Sequence, residues 1–164
     1  MNDAVTAFWN RYLDALPAGH PHRRAAPDVF SFGDSAAIAD ELAALVVQGR
    51  KRATTSLPSE YSSEGLPLPV AGDVSIVTRS DTEPVAIIEF VDVRLVPFQA
   101  VDAAYAAVEG EGDGSLAGWQ AAHRSFFRRV CSRLGGRFEE ATPVLCQQFR
   151  VVWPRKPGVG ACSG

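Results

Sequence analysis

Residues 85–96 (VAIIEFVDVRLV) constrain the fold more than any other stretch of the chain. Val85, Ile87 and Glu89 alternate with Ala86, Ile88 and Phe90, so a strand or long hairpin arm here carries mostly apolar side chains on both faces. Such a strand needs cover above and below, which makes it a central strand of a sheet. The other periodicities fall around it in the order helix, helix, strand, strands, helices, strand. No strand-helix-strand unit repeats, which disfavours a doubly wound parallel sheet. The expectation is an α+β fold whose mixed or mainly antiparallel sheet curls into a small barrel flanked by helices.

Local signals supply the flanking elements. Val5, Phe8, Trp9, Tyr12, Leu13 and Leu16 recur at helical spacing until Pro17 stops the run. Residues 17–28, with Pro, Gly, His and Arg and no period, read as an exposed, mildly basic linker. Asp34 or Ser35 can cap a second helix with a stripe of Ile38, Leu42, Leu45 and Val46, ended by Gly49. Strand signals follow in RKRATTSL and in residues 74–79, separated by a polar, Pro-rich stretch over 58–69. A short helix is expected near 101–107. The longest starts at Asp113 or Ser115 and carries Leu116, Trp119, His123, Phe126, Phe127, Val130 and Leu134 on one face. A final strand spans 144–153. The organisation is thus an N-terminal helix and linker over 1–29, one domain over 30–153, and a disordered tail over 154–164.

Composition excludes several classes. With 164 residues, 46% of them hydrophobic, the chain can bury a core without metal or disulfide staples. Its 16 Lys+Arg and 19 Asp+Glu leave a net charge of -3, which rules out a general basic coat for nucleic acid but not a local patch. No apolar run reaches the roughly 18–20 residues of a membrane span, and Asn2-Asp3 do not open a secretion signal, so a cytoplasmic protein is expected. Cys131, Cys146 and Cys162 form no CxxC pair and read as idle thiols. GEGDGS lacks GxGxxG spacing, and GRKRATTS matches a Walker A loop only in its basic and hydroxyl ending.

Several segments in series carry a family resemblance: FGDS at 32–35, ADELAALVVQG, GRKRATTS at 49–56, the AGD turn, IIEFVDVRLVPF, and AxxEGEGDGSLxxW. Together they resemble an ASCH (activating signal cointegrator homology) domain from about residue 30 to Trp153, and the N-terminal helix with its Phe-Trp pair resembles that of the bacterial stand-alone members. The resemblance implies a PUA-like β-barrel with a cleft lined by the GxKxxT segment. It also implies either an amidohydrolase that removes acyl groups from the exocyclic amine of cytidine, as with N(4)-acetylcytidine, or a ribonuclease. The family's catalytic Lys, Thr and acidic-loop Glu fall on Lys51, Thr54 and Glu111, with Glu109 as the second candidate in that loop. Where the family often continues to Arg two residues after the Thr, this chain has Ser56. No cofactor and no metal is implied.

The chemistry sets conditions of its own. A threonine hydroxyl needs a base as it attacks a carbonyl, and lysine serves only when neutral, which burial or a positive neighbour such as Arg50 or Arg52 would favour. A nearby carboxylate opposes this, so Glu111 is assigned another step: holding the cytosine amine, carrying a proton to the leaving group, or positioning water. Lys51 and Thr54 are an odd number of residues apart, so on a strand they point to opposite faces unless Ala53 forms a turn or bulge. Without the resemblance, Lys51 is by default a solvated cation at a helix end, Thr54 a strand former, and Glu109 and Glu111 surface loop charges.

Arg52, Ser56, Tyr61, Glu89 and Glu109 complete the candidate substrate contacts. Tyr61 is the aromatic chosen for stacking on a base. Glu89, a carboxylate in an apolar strand, either faces the cleft or pairs with a buried cation. His123 reads as a hydrogen-bonded core histidine, and His20 and His22 as an incomplete metal pair. Three functions remain: an amidohydrolase acting on a small nucleoside, a ribonuclease acting on single-stranded RNA through the same cleft, and a non-catalytic RNA or nucleotide reader. The amidohydrolase ranks first because Lys, Thr and Glu all have counterparts. Nothing in the sequence assigns an oligomeric state.

Overall fold

The structure, a computed structural model, describes residues 1–155; most of the segment expected to be a disordered tail, Cys162 included, lies outside the described residues. Strands β1 (Asp28–Phe30), β2 (Ala53–Ser56), β3 (Val74–Thr78), β4 (Pro84–Pro97) and β5 (Pro143–Trp153) form a five-stranded sheet of order β1-β3-β4-β5-β2. β1 pairs with β3 in parallel, and the β3/β4 and β2/β5 pairs are antiparallel. The sheet is mixed and β4 is internal, as its two apolar faces require. Among the described residues five α-helices accompany it: α1 (Asp3–Asp14), α2 (Ala36–Gln48), α3 (Pro58–Ser63), α4 (Ala103–Glu109) and α5 (Leu116–Arg133). The α+β class is the expected one.

The chain divides into two units that interleave in sequence. The first holds residues 1–47, 74–89 and the chain from Val151. Here Asn2 caps α1 by accepting a hydrogen bond from Val5 N at 2.8 Å. The buried side of α1, Val5, Phe8, Trp9 and Tyr12, packs with Leu16 on Val74, Ile76 and Ile87. The expected linker is mostly exposed, but it is tied down. Its residues 21–24 form a 3₁₀ turn that buries His22, and the Arg23 guanidinium donates to the carbonyls of Leu13, Leu16 and Pro17 at the end of α1. The capping logic explains this, since a helix end leaves carbonyls that need donors. The stripe expected on α2 also shifts: Ala39, Ala43 and Val46 are buried and Ile38 is exposed, because small residues let the helix approach closely.

The second unit holds residues 48–73 and 90–150. Phe98, Tyr105, Trp119, Phe127 and Val130 build its core with Ala53 and Cys146 from β2 and β5. Phe98 stacks on Trp119 with centroids 5.3 Å apart. The Pro-rich stretch expected to be loop begins with α3, where Pro58 sits in the first turn and Glu60 accepts from Leu57 N at 2.8 Å. Cys131 and Cys146 are free and buried, and burial pushes the Cys146 thiol up to about 11.

Candidate functional site

Lys51 is placed by backbone contacts on both sides of it. Gly49, with φ 79°, ends α2 in the left-handed conformation. The next residues are held between two neighbours: Arg52 N donates to Val108 O at 3.0 Å, and Phe149 N donates to Arg52 O at 2.9 Å. Gly110 ends α4 at φ 68° and lies against Arg50; a Cβ there would stand 2.1 Å from Arg50 O. Only glycine allows that approach. Lys51 is turned inward and is 0% exposed, so the solvated helix-end reading does not apply. Its Nζ donates to Ala53 O at 2.8 Å, Glu111 Oε1 at 2.5 Å and Glu109 Oε1 at 3.4 Å.

Glu109 is the hub and is itself only 1% exposed. Trp119 Nε1 donates to Oε2 at 2.6 Å and Thr55 Oγ1 donates to it at 2.8 Å, while His123 Nε2 lies 3.1 Å from Oε1. The helix period produces this convergence. Tyr105 and Glu109 are four apart on α4, and Trp119 and His123 are four apart on α5, so each helix presents a pair on one face. His123 stacks on Trp119 at 4.2 Å, and its Nδ1 lies 3.0 Å from Trp119 O.

The cluster contains two cations and two carboxylates. Both His123 nitrogens face acceptor oxygens, an arrangement that suits the doubly protonated ring. Burial opposes that charge, but the hydrogen bond and the charge of Glu109 outweigh it and raise the His123 pKa. For Glu109, burial favours the neutral acid, yet Lys51 and His123 together hold its pKa well below the usual carboxylate range. A buried charge is tolerated only when paired and hydrogen-bonded, and each of these four is. Glu111, with its side chain 24% exposed, is the member that solvent reaches best.

The other expected site residues are distributed as follows. The β2/β5 register runs without a break from Ala53↔Gln148 to Ser56↔Leu145, so the bulge that would bring Thr54 to Lys51 does not form. Thr54 and Thr55 point to opposite faces, and the hydroxyl that meets the cluster is that of Thr55. Among the described residues no hydrogen bond joins the Thr54 side chain to Lys51 or to either carboxylate. Ser56 Oγ donates to Gln147 Oε1 at 2.7 Å, and Gln147 Nε2 donates to Tyr61 Oη at 3.1 Å, forming a separate polar group. Glu89 lies in the first unit, with Oε1 4.0 Å from His22 Nε2. Arg52 is exposed beside Arg50 on a cleft of about 340 Å³.

Three participants are absent from the sequence reading: Thr55, Tyr105 and Gln147. Tyr105 Oη stands inside the β2/β5 ladder, donating to Thr54 O at 2.7 Å and accepting from Gln147 N at 3.1 Å, with Thr55 Oγ1 3.1 Å away. Burial, and then the charge of Glu109, push its pKa far up, so it stays a neutral donor. The signal available for it was its place four residues before Glu109.

Glu109, Glu111 and His123 also offer one ligand atom each within 4.8 Å of one another, a grouping that could hold a metal ion. The Lys51 ammonium already contacts both carboxylates, so a cation there would compete with it. What the arrangement can do is proton transfer at Glu111 coupled to the release of a buried ammonium.

Comparisons with known proteins agree with this architecture. No curated protein matches the chain. It is similar to the ASCH domain of Lactobacillus crispatus JV V101, with a TM-score of 0.85, 35% identity, and 92% of this chain and 95% of that one covered. A protein of Enterococcus faecalis V583 gives a TM-score of 0.80 and 34% identity, with 93% and 90% covered. The ASCH domain model matches residues 28–153, most of the chain. With the fold, the series of motifs and these similarities in agreement, the chain belongs to the ASCH domain family.

Proposed function

We propose that this protein is a hydrolase that removes acyl groups from the exocyclic amine of a cytidine-type base. The observation that carries the reading is a buried ammonium, Lys51, whose partner Glu111 is open to solvent. In this mechanism Glu111 takes a proton from the attacking water as the oxygen bonds to the acyl carbon. Neutralised, it releases an N–H of Lys51, which turns to the developing oxyanion. The carbon–nitrogen bond then breaks, Glu111 returns its proton to the departing amine, and a carboxylic acid and the free base result. Lys51 acts as a cation, a role its two carboxylates support. The low exposure of Glu109 and its four partners suit it to holding Lys51 rather than reacting.

The test is incubation of the purified protein with N(4)-acetylcytidine and chromatographic detection of cytidine. Turnover is expected, falling by about 10²–10³ in Glu111→Gln. Thr54→Ala is expected to retain turnover, since water is the nucleophile; its complete loss would return that role to the threonine. An absence of turnover together with tight binding of single-stranded RNA would favour the reader instead.

A further inference from the structure

The cleft beside the cluster has a character that the hydrolytic reading does not use. Arg50 and Arg52 line it together with Gly110, Gly112 and Gly114, whose φ are 68°, 57° and 74°. Lys51 lies between those arginines in sequence, and Glu111 lies between the first two glycines, so the residues of the cleft are chain neighbours of the reacting pair, which does not itself line it. Both arginines are exposed, and among the described residues neither guanidinium has an ion-pair or hydrogen-bond partner. The single carboxylate of the lining, Asp113, is engaged elsewhere: its Oδ1 accepts from Ser115 N at 2.9 Å and from Ser115 Oγ at 2.7 Å, at the start of α5. Ala107 is the one aliphatic residue of the lining, so an apolar ligand finds little to pack on.

We infer that this cleft binds the phosphate of the substrate, and that the protein therefore acts on a nucleoside monophosphate in preference to the free nucleoside. Arginine presents a planar fork of donors that matches phosphate oxygens, and at Gly112 and Gly114, where an added Cβ would meet nothing within 4 Å, a ligand can approach the backbone. The volume, about 340 Å³, lies within the range of small-molecule sites. Two guanidiniums match one phosphate group. A nucleic-acid strand, typically held by about 6–10 phosphate contacts, would need a longer basic track.

The inference rests on the hydrolytic reading for the identity of the base, and binding separates the two. Calorimetry with cytidine, cytidine 5′-monophosphate and a single-stranded oligocytidylate is the measurement, repeated at raised salt and with Arg50→Gln/Arg52→Gln. The monophosphate is expected to bind at least about tenfold more tightly than cytidine, with the preference shrinking in salt and lost in the double variant. The wild-type ratio requires no variant to fold. Equal affinity for the two, or a preference that survives both replacements, overturns the inference. So does an oligonucleotide that binds while the monophosphate does not. If the preference is found but N(4)-acetylcytidine monophosphate is not hydrolysed, the phosphate site stands and the hydrolytic reading fails.

Discussion

Replacing Lys51 by methionine removes one charge from a cluster whose charges sum to zero. Glu109 would be left with His123 as its remaining ion-pair partner among the described residues, and Glu111 would lose its ion pair and keep only the more distant His123, which offers a nitrogen within 4.8 Å. Because Lys51 is 0% exposed and Glu109 1%, water cannot replace the lost ammonium at Glu109 without opening the core. Removing one partner of a buried pair costs about 3–5 kcal/mol. For a chain of this length that corresponds to a fall in Tm of about 6–20 °C at neutral pH. Glu109→Gln alone leaves two cations against one carboxylate and is also destabilising. Lys51→Met/Glu109→Gln returns the sum to zero, and its loss is expected to be smaller than the sum of the single losses by at least about 1 kcal/mol. The assay is chemical and thermal denaturation of all four proteins followed by circular dichroism. Additive losses, or a Lys51→Met variant within about 1 kcal/mol of the wild type, would refute charge balance as the reason this site is stable.

Gly110→Ala combines a left-handed backbone, at about 1–2 kcal/mol, with a Cβ 2.1 Å from Arg50 O; a Tm loss beyond the backbone term and reduced turnover are both expected. Tyr105→Phe deprives Thr54 O and Gln147 N of their partner in the ladder, so about 1–3 kcal/mol is lost and the Gln147 amide exchanges faster in hydrogen-exchange measurements. His123 has a folded-state pKa raised above its unfolded value of about 6.5. Its stabilising effect is therefore complete below that value and disappears as pH rises through the folded pKa. The Tm difference between wild type and His123→Gln should shrink over that alkaline rise, and a constant difference contradicts the imidazolium.

How much of this was legible in the sequence depended on whether the signal was local. The apolar alternation of 85–96 identifies an internal strand, and the caps at Ser35 and Ser115 lie where helices begin, because both depend on near neighbours. β1 has no such signal, since three residues carry little periodicity and its partner β3 lies over forty residues away. The order of the sheet was likewise not readable from neighbouring residues. At the site, the GxKxxT segment and the acidic loop are legible as motifs, and so is the parity that sets Lys51 and Thr54 on opposite faces of a strand. The hydroxyl one residue later answers it: Thr55 faces the cluster, as alternation along a strand requires. The hub role of Glu109 depends on two helices crossing, and no spacing within either one reveals which partner it meets.

The backbone bonds that flank Lys51 have a consequence for how such a site can change over time. Arg52 is held through its own N–H and carbonyl, and Arg50 through the carbonyl against which Gly110 rests. Neither contact uses a side chain. Positions 50 and 52 can accept new residues while Lys51 stays where it is, so the surface that meets a ligand is free to diversify around a reacting pair that is not.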